Sequence, residues 1–182
     1  MKKRKTTLIL VSGLLTVFVV IAFYNGVFEK IDIQEKERGG FKLVGLEFKG
    51  PYSEAGRYIN EVEKRLKKNE TSSSLSFGVY YDDPKKVKPK DCRSFVGIIL
   101  EKKDLEKIPL LLADGFKIDS IPFKKSLQSE FPIKNTFSYM IGPWKVYPKL
   151  SKYMKERNYT VDLMMEVYDT GNRKIDFLIQ YH

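Results

Sequence analysis

Cysteine, histidine and tryptophan each occur once in these 182 residues, and each scarcity excludes something. Cys92, being alone, cannot form an intramolecular disulfide, so the fold rests on its core. His182, the only histidine, stands at the last position, which argues against a Ser-His triad and against a histidine-based metal site. No metal and no cofactor is therefore expected. Helix-turn-helix spacing, zinc-finger patterns and aromatic-rich RNA-binding signatures are missing as well, so nucleic acid is not an expected partner.

What is present suits one domain with an appendage. At 42% hydrophobic and 13% aromatic, the chain can bury a sizeable core, and it is too short for two ordinary domains. Lys2, Lys3, Arg4 and Lys5 precede an uncharged run over residues 6–28, enough to cross a hydrocarbon core of about 30 Å as a helix. A cleaved signal peptide shares the basic start and apolar middle, but the end of the run, VIAFYNGVF, offers no small-x-small cleavage site. Residues 1–28 are accordingly read as a signal anchor, a single-pass transmembrane helix, and residues 29–182 as the folded domain.

Charge orients that reading. Four basic residues precede the span, whereas Glu29, Lys30, Asp32, Glu35, Lys36, Glu37 and Arg38 follow it in mixture, which places the N-terminus in the cytoplasm and the domain outside it. The net charge is +10, of which the anchor carries four, leaving +6 on the domain. That balance suits an anionic membrane surface.

Past residue 28 the periodicity is mixed. Strands are expected over Lys30–Lys36, Lys42–Lys49, Leu75–Tyr81, Ser94–Leu100, Phe116–Pro122, Asn135–Ile141, Val161–Tyr168 and Lys174–Tyr181. One helix follows Ser53, with Ala55, Tyr58, Ile59, Val62 and Leu66 on one face; a second begins near Pro148, with Leu150, Tyr153 and Met154 on its apolar side. Gly50, Pro51 and Tyr52 recur as Gly142, Pro143 and Trp144, and the strand FGVYYD recurs as MEVYD. The pattern reads as a duplication. Two half-domains would share one antiparallel α+β sheet with both helices on one face.

Within the last repeat, Glu166 interrupts the apolar run LMMEVYD. Strand alternation puts Met164, Glu166 and Tyr168 on one face and Leu163, Met165 and Val167 on the other. The aliphatic set is expected beneath the helices, which leaves Glu166 on the uncovered concave face, with Gly78 and Tyr80 as its counterparts in the first repeat. A glycine there leaves room for a ligand.

These residues carry a resemblance. The paired Gly-Pro-aromatic-helix units, the FGVYYDDP segment with Cys92 and Arg93 downstream, and the MEVYD strand are similar to the GyrI-like domain, known also as the BmrR-type effector-binding domain. The likeness extends from about Ile31 to Tyr181, and Tyr81, Asp82, Val96, Gly97, Gly115, Phe116, Tyr153 and Arg157 are features in common with one subgroup of the family. Within the family it falls nearest the testis-expressed ER-phagy receptor-like subgroup, which also carries an N-terminal hydrophobic segment.

The resemblance implies duplicated βαββ half-domains with a ligand cleft, lined by aromatics around a glutamate that recognises lipophilic cations. Glu166 matches that glutamate, and Tyr80, Tyr168, Trp144, Tyr139 and Tyr52 are the aromatics expected near it. The function expected is binding of a small lipophilic cation without chemistry. The alternatives are a hydrolase of strained lipophilic compounds using the cleft glutamate, and an adaptor for a protein partner with a vestigial cleft.

Overall fold

The computed structural model describes residues 2–182, with side chains from residue 11 onward. Helix α1 spans Lys2–Tyr24, and strands β1 (Gln34–Arg38) and β2 (Phe41–Lys49) follow it. Helix α2 (Ala55–Leu66) leads to β3 (Leu75–Tyr80) and β4 (Arg93–Ile99), and a short α3 (Ile108–Ala113) precedes β5 (Lys117–Ile121). The chain ends with β6 (Lys124–Pro132), α4 (Ser138–Arg157), β7 (Val161–Asp169) and β8 (Lys174–Tyr181).

All eight strands join one antiparallel sheet in the order β1-β6-β8-β7-β3-β4-β2-β5. On one side of the central β3–β7 pair stand β4 and β2; on the other stand β8 and β6. Helix α2 connects β2 to β3, and α4 connects β6 to β7. The pairing across the centre sets Gly78 directly opposite Glu166.

Each face of the sheet has its own core. Phe77, Val79, Phe95, Met165, Val167 and Leu178 form a cluster made wholly of strand residues, buried because the sheet curls on itself. Gly45 and Gly97 stand opposite one another in β2 and β4, and a Cβ on either would lie 2.0 Å from a carbonyl oxygen of the partner strand. That approach is open only to glycine. The other face packs Ala55 and Ile59 of α2, with Val146 and Leu150 of α4, onto Val96, Tyr168 and Phe177.

Both helices thus share one face, but the assignment of faces is reversed from the sequence expectation. The aliphatic side of β7 fills the inside of the curl, and the side bearing Glu166 and Tyr168 lies beneath the helices. A curled sheet supplies an interior of its own, so the most uniformly apolar set goes there and the mixed set receives the helices.

Three element assignments also change, the first being α3, which has no counterpart among the two expected helices. Residues 135–141 are not a strand: α4 begins at Ser138 and runs through both Pro143 and Pro148. Strand β6 was not foreseen. It buries Ser126, Gln128 and Ser129 beside Leu127 and Phe131, so its alternation is hidden by polar residues on its buried positions.

Apart from Ala22, the described side chains of α1 are exposed, Leu14, Leu15, Phe18 and Val20 among them. Among the residues whose side chains are described, no helix is long and apolar enough to cross a membrane. The span expected at residues 6–28 begins outside them. Where α1 ends, Lys145 of α4 donates to the carbonyl oxygens of Gly26 (3.3 Å), Glu29 (2.6 Å) and Val27.

Candidate ligand-binding site

The register of β7 sends Glu166 into the layer between the sheet and the helices, where it is 4% exposed. Tyr147 of α4 donates to its Oε1 over 2.7 Å, and Tyr168, two residues along the same strand face, donates to Oε2 over 2.8 Å. The Tyr80 and Tyr168 hydroxyls lie 2.8 Å apart. With Tyr168 giving its proton to Glu166, Tyr80 is the donor in that contact, and a chain of hydroxyls converges on the carboxylate.

Gly78 makes the chain possible. A Cβ at this position would fall 2.6 Å from the Tyr80 hydroxyl oxygen, so the Tyr80 ring lies in the space a side chain would take. The room that a glycine opposite a glutamate suggests is real, and Tyr80 fills it.

Two further rings extend outward. Tyr52 packs against Tyr80 with centroids 4.7 Å apart, and its hydroxyl donates to the Asp82 carbonyl while accepting from the Asp82 amide. Tyr139, at the start of α4, lies 5.7 Å from Tyr168 and is 42% exposed. Tyr147 meets Phe177 edge-on at 5.4 Å, which fixes the ring that reaches Glu166.

Burial governs the electrostatics. Desolvation raises the Glu166 carboxyl to a pKa of about 7, and the hydrogen bonds from Tyr147 and Tyr168 pull it the other way. Burial also raises Tyr80, Tyr147 and Tyr168, so all three remain protonated donors. Tyr52 is pushed up to about 12 by the same cause. Among the described residues, no lysine, arginine or histidine contributes to the titration of Glu166. The site carries a carboxylate, ring faces and hydroxyl donors, with no counter-charge beside the carboxylate.

Of the residues expected here, Glu166, Tyr80 and Tyr168 come together, with Tyr52 and Tyr139 in the next layer. Trp144 does not join them. It is 67% exposed on the outward side of α4, because the helix begins at Ser138 and turns residue 144 away from the face that carries Val146 and Leu150. Tyr147 was missed, since starting the second helix near Pro148 left it in a loop. The available signal was the four-residue spacing of Ser138, Gly142, Val146 and Leu150, which continues a buried helical stripe beside residue 147.

Residues 31–177 match the family described as a GyrI-like small molecule binding domain. Among curated proteins, the chain is similar to human testis-expressed protein 264, 30% identical over 166 residues that cover 85% of this chain and 50% of that protein. It is similar also to the mouse homolog, 32% identical over 137 residues that cover 71% and 41%. The chain thus spans about half the length of the curated relatives it matches. Among solved structures, the C-terminal domain of EcmrR shares the fold with a TM-score of 0.55 at 14% identity, covering 84% of this chain and 97% of that one. EcmrR in its cryo-EM complex with DNA gives 0.53 at 12% identity, covering 100% and 70%.

Proposed function

Because the chain belongs to the family of GyrI-like small molecule binding domains, we propose that it binds a small lipophilic cation at Glu166 without chemistry, tethered to a membrane through residues 6–28. The observation that carries the binding reading is a carboxylate 4% exposed whose hydrogen-bond partners are two tyrosine hydroxyls and whose surroundings supply no positive charge. An ionised carboxylate in such a place is unfavourable until a cation joins it. A delocalised cation would gain roughly 0.5 to 2 kcal/mol from each ring face it meets, and Tyr80, Tyr168 and Tyr139 supply faces.

Entry requires movement, because Tyr80 occupies the space over Gly78. Rotation of Tyr80 and Tyr139 would exchange the hydroxyl chain for the ligand, and the ligand would select the opened arrangement. The duplicated reading supports this location: β2, α2, β3 and β4 have the same order as β6, α4, β7 and β8, and Glu166 stands on the seam between the two sets.

Support for the tether is the uncharged run over residues 6–28 together with the exposure of Leu14, Leu15, Phe18 and Val20 in α1. The basic residues ahead of it favour a cytoplasmic N-terminus and a domain on the opposite side.

The test is a titration of the full chain, held in lipid nanodiscs, with a rhodamine-type cation. Glu166→Gln keeps the shape and removes the charge, and should weaken binding by about tenfold or more, the equivalent of losing roughly 1.4 kcal/mol. Equal affinity in the two proteins would remove Glu166 from the role.

A further inference from the structure

Trp144 lies in a stripe. Phe137, Met140 and Trp144 follow one another at helical spacings of three and four, and they are 60%, 65% and 67% exposed. The same stripe continues along α4 through Pro148, Ser151 and Lys155. Its large apolar part is therefore confined to one end of the helix.

That end is the one fastened to α1. Asn135, just ahead of α4, donates to Asn25 over 2.9 Å, and Lys145, one residue past Trp144, holds the carbonyls of the turn that follows α1. The two contacts bracket the stripe, so residues 137–144 lie within about two helical turns of the place where α1 leaves the domain. Phe28 in the same junction is also exposed, at 61%.

From this arrangement we infer that Phe137, Met140 and Trp144 form an interfacial foot that rests the domain on the lipid surface into which α1 inserts. The inference rests on the reading of residues 6–28 as a membrane anchor. Continuity with that helix selects a bilayer over a protein partner: an apolar stripe pinned beside the exit of a spanning helix lies at the depth of the headgroups. A tryptophan with its polar ring nitrogen suits that depth, and phenylalanine and methionine suit the acyl boundary beneath it. Lys149, exposed one turn past Lys145, adds positive charge that an anionic headgroup would accept.

The foot also stands next to the site. Tyr139, between Phe137 and Met140, has its ring against Tyr168, so the outermost ring above Glu166 borders the lipid. A lipophilic cation partitioned into the interface would reach Tyr139 first.

Trp144, as the only tryptophan in the chain, reports on its own surroundings. The full chain is reconstituted into phosphatidylcholine vesicles with a minor fraction of phosphatidylserine, and its emission is compared with and without lipid doxyl-labelled near the headgroup. Loss of emission with the doxyl lipid, protection from aqueous acrylamide, and reversal of both in Phe137→Asp/Met140→Asp are the expected results. Emission quenched by acrylamide and unaffected by doxyl lipid, in protein that floats with the vesicles, overturns the foot and leaves the anchor standing. Protein that does not float overturns both. Acrylamide protection without doxyl quenching, together with a dimer by sedimentation, assigns the stripe to a second copy instead. Doxyl quenching that persists in the double variant also overturns the inference, since α1 alone then accounts for the proximity.

Discussion

Tyr147 and Glu166 meet hydroxyl to carboxylate over 2.7 Å, joining α4 to one of the two central strands of the sheet at a point where the carboxylate is buried. Removing the donor leaves the carboxylate with Tyr168 alone. Tyr147→Phe should therefore raise the Glu166 pKa above about 7, because this hydrogen bond is one of the two influences that lower it. A hydrogen bond to a charged group contributes about 1.5 to 3 kcal/mol, so stability above neutral pH should fall by that order. Carbon-detected NMR titration of the glutamate carboxyl and urea unfolding at pH 8 check the two parts.

The pH dependence has a definite sign. Glu166 has a folded-state pKa of about 7 against an ordinary value of 4.5, so the folded protein binds its proton more tightly. The stabilising contribution is fully present below pH 4.5 and is lost as pH rises through about 7. Over that window the wild type should lose on the order of 3 kcal/mol of stability relative to Glu166→Gln. Affinity for a cation runs the other way and should rise with pH to a plateau above about 7. Urea unfolding and dye titration, each run from pH 5 to pH 9 on both proteins, provide the comparison.

Gly78→Ala places a methyl group 2.6 Å from the Tyr80 hydroxyl oxygen, closer than the two can approach. The ring must leave, and its contact with Tyr168 goes with it. Overpacking of this kind costs about 1 to 3 kcal/mol of stability. Because the displaced ring is also the obstacle to entry, association with a dye cation should become faster even as the protein becomes less stable. Stopped-flow mixing and urea unfolding would show the opposed changes, and slower association would count against Tyr80 as the obstacle.

Trp144→Ala tests the corrected position of the tryptophan. An exposed side chain away from Glu166 should leave dye affinity within about twofold of wild type in detergent micelles, the range expected of surface substitutions. A tenfold loss, read by the same titration, would return Trp144 to the site.

Lys145→Met keeps the aliphatic stem and removes the donors that hold the turn after α1. Hydrogen exchange at residues 26–30 should speed up by about tenfold or more, since an ammonium on carbonyls contributes on the order of 1.5 to 3 kcal/mol. The amides of β3 and β4, whose strands lie beyond β7 and β8 in the sheet, should keep their protection.

Much of this site could be read from the chain. Glu166 is conspicuous because a carboxylate inside LMMEVYD must have a reason to be there, and strand alternation alone ties it to Tyr168. Tyr80 followed from the repeat of the strand in the first half. The errors came from proline. Pro148 reads as the start of a helix, yet it sits in mid-helix on the exposed side of α4. A helix begun at Pro148 leaves Tyr147 in a loop and residues 135–141 open to a strand, whereas the expectation of Trp144 near Glu166 comes from the family resemblance and not from the periodicity. The reversal of faces had a different origin. Alternation separates the two sides of a strand without saying which side meets a helix, and the curl of the sheet depends on contacts between strands far apart in sequence.

Strand β1 gives the molecule a path for mechanical force. It follows α1 directly, yet it pairs with β6 at the far edge of the second set of strands before the chain crosses to β2 at the other side. The Lys145 clamp lies in that second set too. Tension applied through α1 would be met first by the Asn25–Asn135 and Glu29–Lys134 contacts, the Lys145 clamp and five β1–β6 residue pairs, all outside the β3–β7 seam. A pull on the tether would strip the edge of the sheet before it strained the glutamate.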